Sequence, residues 1–166
     1  MKYSQIRPLI EDGDVALISG TGLLSLLVRL FTAGSTSHVA VFYREDDDVF
    51  VSEVREFQGH RITHASVWID EQLTSGSHIK IGKAPSRVRS GQFVHSFIQN
   101  NRTKIKRYAW WILPFVFLSR LTGINVIKES YICSVYVQKA WRHAGRALVP
   151  SDFTWLCDTT YSITEL

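Results

Sequence analysis

The sequence predicts an α+β fold in which an antiparallel sheet packs against helices. Short segments with the alternating pattern of strands flank a central stretch with the spacing of helices. Hydrophobic residues make up 45% of the chain and charged residues 20%, as in globular rather than disordered proteins. The 166 residues suffice for one domain with a core, and no long linker divides them. We therefore expect a single domain over residues 1–166.

The first half of the chain predicts a strand, a helix and a hairpin. "DVALIS" (Asp14–Ser19) alternates like a strand. "GLLSLLVRLFTA" (Gly22–Ala33) predicts a helix that is mostly apolar and is therefore expected to be largely buried. His38–Arg44 and Val49–Val54 predict two strands of a β-hairpin around an acidic turn.

The second half is mainly helical. "HIKIGK" (His78–Lys83) predicts one more strand, and helices are expected from about Ser86 to Asn101 and from about Ile105 to Leu121. A further helix begins at Cys133, where apolar residues recur at helical spacing and Gly145 is placed to cap the C-terminus.

Two features bear on the cellular compartment. Cys133 and Cys157 are too few for a disulfide framework, which favours two reduced thiols. The polar start predicts no secretory leader, and the apolar run Tyr108–Leu118 is too short to span a bilayer. These observations predict a cytoplasmic protein or one peripheral to a membrane, with delivery to the cell wall by another route left open.

Charge is concentrated in a basic segment, residues 80–128. It holds ten lysines and arginines, and no acid lies between Glu71 and Glu129. Such a segment suits an anionic membrane, a wall polymer or a nucleic acid, although a solvated basic face explains it equally well. Nucleic acid is the weakest of these partners, because the tryptophans that follow the basic residues run into an apolar stretch and so indicate packing. The oligomeric state is left open.

His38 and Glu53 are a candidate pair within the hairpin. A two-residue loop at Glu45–Asp46 places them directly opposite each other, and a loop at Asp46–Asp47 places them diagonally on the same face, roughly 5 or 7–8 Å apart at their β-carbons. A three-residue loop would place them on opposite faces. A carboxylate beside an imidazole fixes the ring's orientation and stabilises its protonated form. The simpler interpretation is a cross-strand hydrogen bond at a sheet edge.

Cys133 is a candidate nucleophile because it begins a helix. The unpaired N–H groups and partial positive charge of a helix N-terminus stabilise a thiolate, and the same N–H groups can hold an oxyanion. The alternative is that Cys133 is a small buried hydrophobe, as most such cysteines are.

Several segments together resemble a known family. "GD" (Gly13–Asp14), "VRLFTAGSTSHVAVFY", "VFVSEV" and "YICSVYVQKAW" are similar to the circularly permuted branch of the NlpC-type papain-like hydrolases, in particular its YiiX and YaeF amidase-like group. Lecithin retinol acyltransferase is a more distant relative. In this branch the histidine strand precedes the cysteine helix, as it does here. The resemblance implies a papain-like antiparallel sheet or partial barrel packed against helices.

The resemblance also implies a function. Cys133 would be the nucleophile, His38 the base and Glu53 the third polar residue of a thiol hydrolase that needs no cofactor or metal. An amide bond, for example in peptidoglycan peptides, is the expected substrate. The alternatives are a lipid-directed thioesterase or acyltransferase at a membrane surface, and a non-catalytic module that binds an anionic polymer or nucleic acid.

"HRITH" is the strongest metal-site candidate, because His60 and His64 lie four residues apart near Glu56. It lacks the His-Glu-x-x-His pattern and a clear third ligand, so we expect no metal site here.

Overall fold

A computed structural model describes residues 1–55, 58–88, 92–105, 118, 122, 131–143 and 147–166. Its helices are α1 (Tyr3–Ile6), α2 (Leu23–Thr32), α3 (Ala65–Thr74), α4 (Gln92–Asn101), α5 (Cys133–Ala140) and α6 (Asp152–Leu156), and a 3-10 turn spans Arg7–Leu9. Its strands are β1 (Val15–Ser19), β2 (His38–Glu45), β3 (Asp48–Arg55), β4 (Gly59–His64), β5 (His78–Gly82) and β6 (Thr160–Ile163).

The six strands form one antiparallel sheet in the order β4-β3-β2-β1-β5-β6. The two ends of this order, β4 and β6, are not paired with each other, so the sheet is open rather than closed into a barrel. The predicted α+β class and antiparallel sheet are confirmed. The partial barrel is not what the described strands form.

The β2–β3 hairpin has the second of the two registers that the sequence allowed. Glu45 pairs with Asp48, which leaves Asp46 and Asp47 as the loop, and Asp46 has a left-handed backbone with φ 53°. An even-length loop keeps side chains of equal parity on one face of the sheet. His38 and Glu53 therefore share a face.

Each face of the sheet has its own apolar core. On one face, Val39, Val41 and Tyr43 of β2 pack with α4, α5 and α6. On the other face, Ala40 and Phe42 of β2 pack with α1 and α3. The alternation of apolar residues on both sides of β2 explains why this strand is buried between two helical layers.

The structure corrects two helix predictions. Helix α2 forms nearly where expected but is not largely buried: Leu23, Leu26, Leu27 and Leu30 are all exposed, and no side chain described in α2 is fully buried. An apolar sequence predicts burial only when another layer covers the helix. Helix α5 ends at Ala140, before the predicted Gly145 cap, which lies outside the described residues.

Other predictions fall where the structure gives little description. Most of the helix expected from Ile105 to Leu121, the apolar run Tyr108–Leu118 and much of the basic segment lie outside the described residues. No helix within the described part of the chain is long and apolar enough to cross a membrane.

Candidate active site

His38 and Glu53 are in direct contact. His38 begins β2, and its Nε2 donates a hydrogen bond of 2.8 Å to Oε2 of Glu53, two residues from the end of β3. The diagonal arrangement follows from the hairpin register. Glu53 is 1% exposed and the His38 side chain is 14% exposed, so the pair is shielded from water on most sides.

Two more side chains hold the Glu53 carboxylate. The indole Nε1 of Trp68 in α3 donates a hydrogen bond of 2.9 Å to Oε1. The Arg55 Nε lies 3.9 Å from the same oxygen. The carboxylate is thus fixed at both oxygens, as a group that orients an imidazole needs to be.

The neighbours of the pair determine its protonation. Burial alone lowers the pKa of His38, but negative charge and hydrogen bonding from Cys133 and Glu53 outweigh burial and raise this pKa well above its usual value. Burial alone raises the pKa of Glu53, but His38, Arg55 and Trp68 outweigh burial and lower it. Both shifts favour the charged forms, an imidazolium beside a carboxylate.

Cys133 is a second neighbour of the imidazole. It is the first residue of α5, is 3% exposed, and interacts with the His38 ring through both charge and hydrogen bonding. Because Glu53 occupies Nε2, Nδ1 is the ring nitrogen that remains for the thiol. Nδ1 is buried within the site.

A buried polar cluster fixes α5 against the sheet. The Tyr136 hydroxyl, one helical turn after Cys133, is hydrogen bonded to Ser52 Oγ at 2.7 Å and to His60 Nε2 at 2.9 Å. Ser52 Oγ and His60 Nε2 are themselves 2.8 Å apart. Since Ser52 is the neighbour of Glu53 in β3, this cluster ties the cysteine helix to the strand that carries the carboxylate.

A pocket of about 180 Å³ opens beside the pair. His38, Glu53 and Arg55 form one wall, while the end of β1 and the first half of α2 form another. Residues at the C-terminal end of α3 complete it. Cys133 does not line it, so the pocket lies on the histidine side of the site.

Cys157 occupies a different environment, and neither cysteine forms a disulfide. Burial raises the pKa of the Cys157 thiol to about 12, assisted by Asp14 and Asp158. Its sulfur lies so close to Gly82 that a β-carbon at that position would be only 2.3 Å away. These contacts support the interpretation that Cys157 is a packing residue.

The histidines of "HRITH" have separate partners. His60 belongs to the Tyr136 cluster, and burial lowers its pKa. His64 Nδ1 is hydrogen bonded to Ser66 Oγ at 2.8 Å, while Glu56 lies outside the described residues. Within the described ranges, no three His, Cys, Asp or Glu side chains form a group that could hold a metal ion.

The sequence pointed to Cys133, His38 and Glu53 as candidates but not to the residues that contact them. The position of Arg55 beside Glu53 was predictable, because the two residues are two apart in one strand and their side chains share a face. Trp68 gave no such signal, since its role depends on α3 packing across the sheet. The link between Tyr136 and Ser52 joins residues 84 positions apart and requires the folded structure.

Comparisons with known proteins bear on the fold. No family model matches the sequence, and no curated protein matches it. Among solved structures, the chain is similar to YiiX from Escherichia coli O157:H7, described as a metalloprotein of DUF1105, with a TM-score of 0.52 and 12% sequence identity. The match covers 94% of this chain and 97% of YiiX. At this identity the likeness shows that the two chains share a fold, and it leaves the chemistry of the site to its geometry.

Proposed function

We propose that the protein is a cysteine hydrolase of the permuted papain-like type, which cleaves an amide bond through Cys133, His38 and Glu53. One observation carries the proposal: the His38 ring is hydrogen bonded to the Glu53 carboxylate through Nε2 and also interacts with the Cys133 side chain. These are the positions that a nucleophile, a base and an orienting group require. The YiiX-like fold is consistent with this assignment.

The mechanism uses this geometry in two stages. The Cys133 thiolate, paired with the His38 imidazolium, attacks the amide carbonyl to form a tetrahedral intermediate. N–H groups of the first turn of α5 stabilise the oxyanion. As the C–N bond breaks, His38 gives its proton to the leaving amine, which leaves a thioester. His38 then takes a proton from water, the hydroxide attacks the thioester carbonyl, and the carboxylic acid departs as the thiolate–imidazolium pair is restored.

The proposal is tested by comparing the two cysteines. The Cys133→Ala variant should lose turnover of amide substrates, whereas the matched Cys157→Ala variant should retain it. Circular dichroism spectra should show that both variants are folded. Undiminished turnover in folded Cys133→Ala protein would refute the mechanism.

Thiol reactivity distinguishes an enzyme from a non-catalytic binding module. We expect iodoacetamide at pH 7 to alkylate Cys133 at least about 100-fold faster than Cys157, because the thiolate is the reactive form and the pKa of Cys157 is raised to about 12. Mass spectrometry of the peptides at timed intervals measures both rates. Equal rates would favour the binding module.

A lipid-directed thioesterase or acyltransferase is the second candidate. It is favoured by one observation: α2, which lines the pocket beside His38, exposes four leucines. Apolar side chains at the mouth of a site suit an acyl chain at a membrane surface. Incubation with purified sacculi and with acyl-lipid vesicles, followed by mass spectrometry of the products, separates the two candidates. Released peptides support the amidase, and released or transferred acyl chains support the lipid enzyme.

A further inference from the structure

The pocket beside His38 has a composition that selects for one kind of ligand. Four serine residues line it, Ser25, Ser37, Ser75 and Ser77, together with the Arg55 side chain. At about 180 Å³ it is smaller than the roughly 300–1,000 Å³ typical of sites for drug-sized ligands. It therefore suits a small polar group.

Arg55 brings a cation into this pocket with most of its donors available. Its side chain is 33% exposed, and its one ion pair among the described residues is the 3.9 Å approach of Nε to Glu53. Glu53 Oε1 already accepts the Trp68 N–H, and Oε2 accepts the His38 N–H. A guanidinium can bind a planar carboxylate with two parallel hydrogen bonds from its N–H groups, so Arg55 gives this pocket a group suited to a carboxylate.

The position of the pocket indicates which part of a substrate enters it. In the mechanism proposed above, the acyl group becomes attached to Cys133, and His38 protonates the leaving amine. The pocket is lined by His38 and not by Cys133. The pocket therefore lies on the histidine side of the scissile bond, which is the side of the leaving group.

We propose that this pocket binds the carboxylate of the leaving group through Arg55, so that the preferred substrates are amides whose departing amine is an amino acid with its own carboxylate. This assignment rests on the proposed function and specifies its substrate class. The competing interpretation is that Arg55 only balances the charge of Glu53. In that case the loss of the Arg55 charge would disturb His38 and lower kcat/KM for all substrates to the same extent.

Kinetics with two matched peptides separates these interpretations. N-acetyl-L-alanyl-L-alanine and N-acetyl-L-alanyl-L-alaninamide differ only in the leaving-group carboxylate. We expect the wild type to favour the carboxylate in kcat/KM by about 10- to 100-fold, because a bidentate charged hydrogen bond is lost with the amide. In Arg55→Gln the ratio should fall to near one, and in Arg55→Lys it should fall partway.

The control is Arg7→Gln, which removes an equal charge elsewhere. Arg7 donates to the Asp47 carbonyl and pairs with Asp48 at the hairpin turn, at the other end of β2 from His38. The ratio should be unchanged in this variant. A wild-type ratio near one, or a ratio that survives Arg55→Gln, would overturn the assignment.

Binding without turnover tests the pocket independently of catalysis. The full-length Cys133→Ala protein, titrated with the same two peptides and followed by NMR, should bind the carboxylate peptide at least about tenfold more tightly than the amide. Adding Arg55→Gln should remove the difference. If this holds while the wild type cleaves neither peptide, carboxylate binding by the pocket stands, while the proposed hydrolase and the leaving-group role of the pocket both fail. Equal binding of both peptides, or binding of glycerol 3-phosphate in their place, overturns the carboxylate assignment.

Discussion

Helices α5 and α2 both contribute residues near His38 but differ sharply in burial. Helix α5 supplies Cys133 and is buried along nearly its whole length, in contact with β2 and with α4. Helix α2 lines the pocket beside His38 and exposes four leucines. The proposed nucleophile is therefore held by a packed core, while the helix beside the pocket faces solvent. Substitutions in and around the two helices test this difference in burial.

The largest expected effect comes from Glu53→Gln, which changes the carboxylate that is hydrogen bonded to the His38 ring. The amide keeps the shape of the carboxylate but loses its charge, so the pKa of His38 should fall. We expect kcat/KM to fall by about 100- to 10,000-fold, the range associated with a general base and its orienting group. Steady-state kinetics with an amide substrate measures this, and NMR titration of the His38 ring checks the pKa.

The same variant has a defined pH dependence of stability. The pKa of Glu53 is lowered on folding. The ionised carboxylate therefore stabilises the fold above the unfolded-state pKa near 4.5, and this stabilisation is lost as pH falls through the folded-state pKa. The pKa of His38 is raised on folding. The protonated ring therefore stabilises the fold fully below the unfolded-state pKa of about 6.5, and this stabilisation is lost only as pH rises through the folded-state pKa. Urea unfolding should show a wild-type advantage over Glu53→Gln at pH 6 that shrinks below pH 4. A difference independent of pH would contradict the ion pair.

A matched pair of valines compares the helices directly. Val137→Ala in α5 removes two buried methyl groups and should lower the free energy of unfolding by about 2 kcal/mol. Val28→Ala in α2 removes the same atoms from a half-buried position, and the better helix propensity of alanine should hold the change below about 0.5 kcal/mol. Urea denaturation measures both. Equal losses would mean that α2 is as tightly packed as α5.

Tyr136→Phe tests the polar cluster that anchors α5. Ser52 Oγ and His60 Nε2 remain hydrogen bonded to each other when the hydroxyl is removed, so the expected loss of stability is only about 1 kcal/mol. Alkylation of Cys133 should slow several-fold because the helix is less firmly placed against β3. An unchanged alkylation rate in the destabilised variant would show that the cluster supports the fold and not the thiol.

The hairpin and its histidine were predictable because local rules determine them. Strand alternation and an even-length loop place His38 and Glu53 on one face, and the acidic turn marks where the loop falls. The position of Cys133 at the start of a helix was also predictable from local pattern. Their meeting across 95 residues was inferred from the resemblance to a permuted family, since no local rule brings β2 and α5 together.

The exposure of α2 was predicted wrongly for a physical reason. Its apolar pattern is as strong as that of a core helix, but burial depends on whether another layer covers that face. The sheet faces are occupied by α1 and α3 on one side and by α4, α5 and α6 on the other. Helix α2 instead lies at the pocket beyond the end of β1, a position that sequence periodicity does not encode.

Leu30→Gln should give the smallest effect and tests that exposure most directly. Leu30 is 68% exposed, and glutamine has nearly the same helix propensity as leucine, so the free energy of unfolding should change by less than about 0.5 kcal/mol. Turnover of a short soluble peptide should also be unchanged, because Leu30 does not line the pocket beside His38. Chemical denaturation and peptide kinetics measure the two quantities. A loss near 2 kcal/mol would mean that this leucine is covered in solution, which would make α2 a second packed wall of the site and remove the contrast with α5.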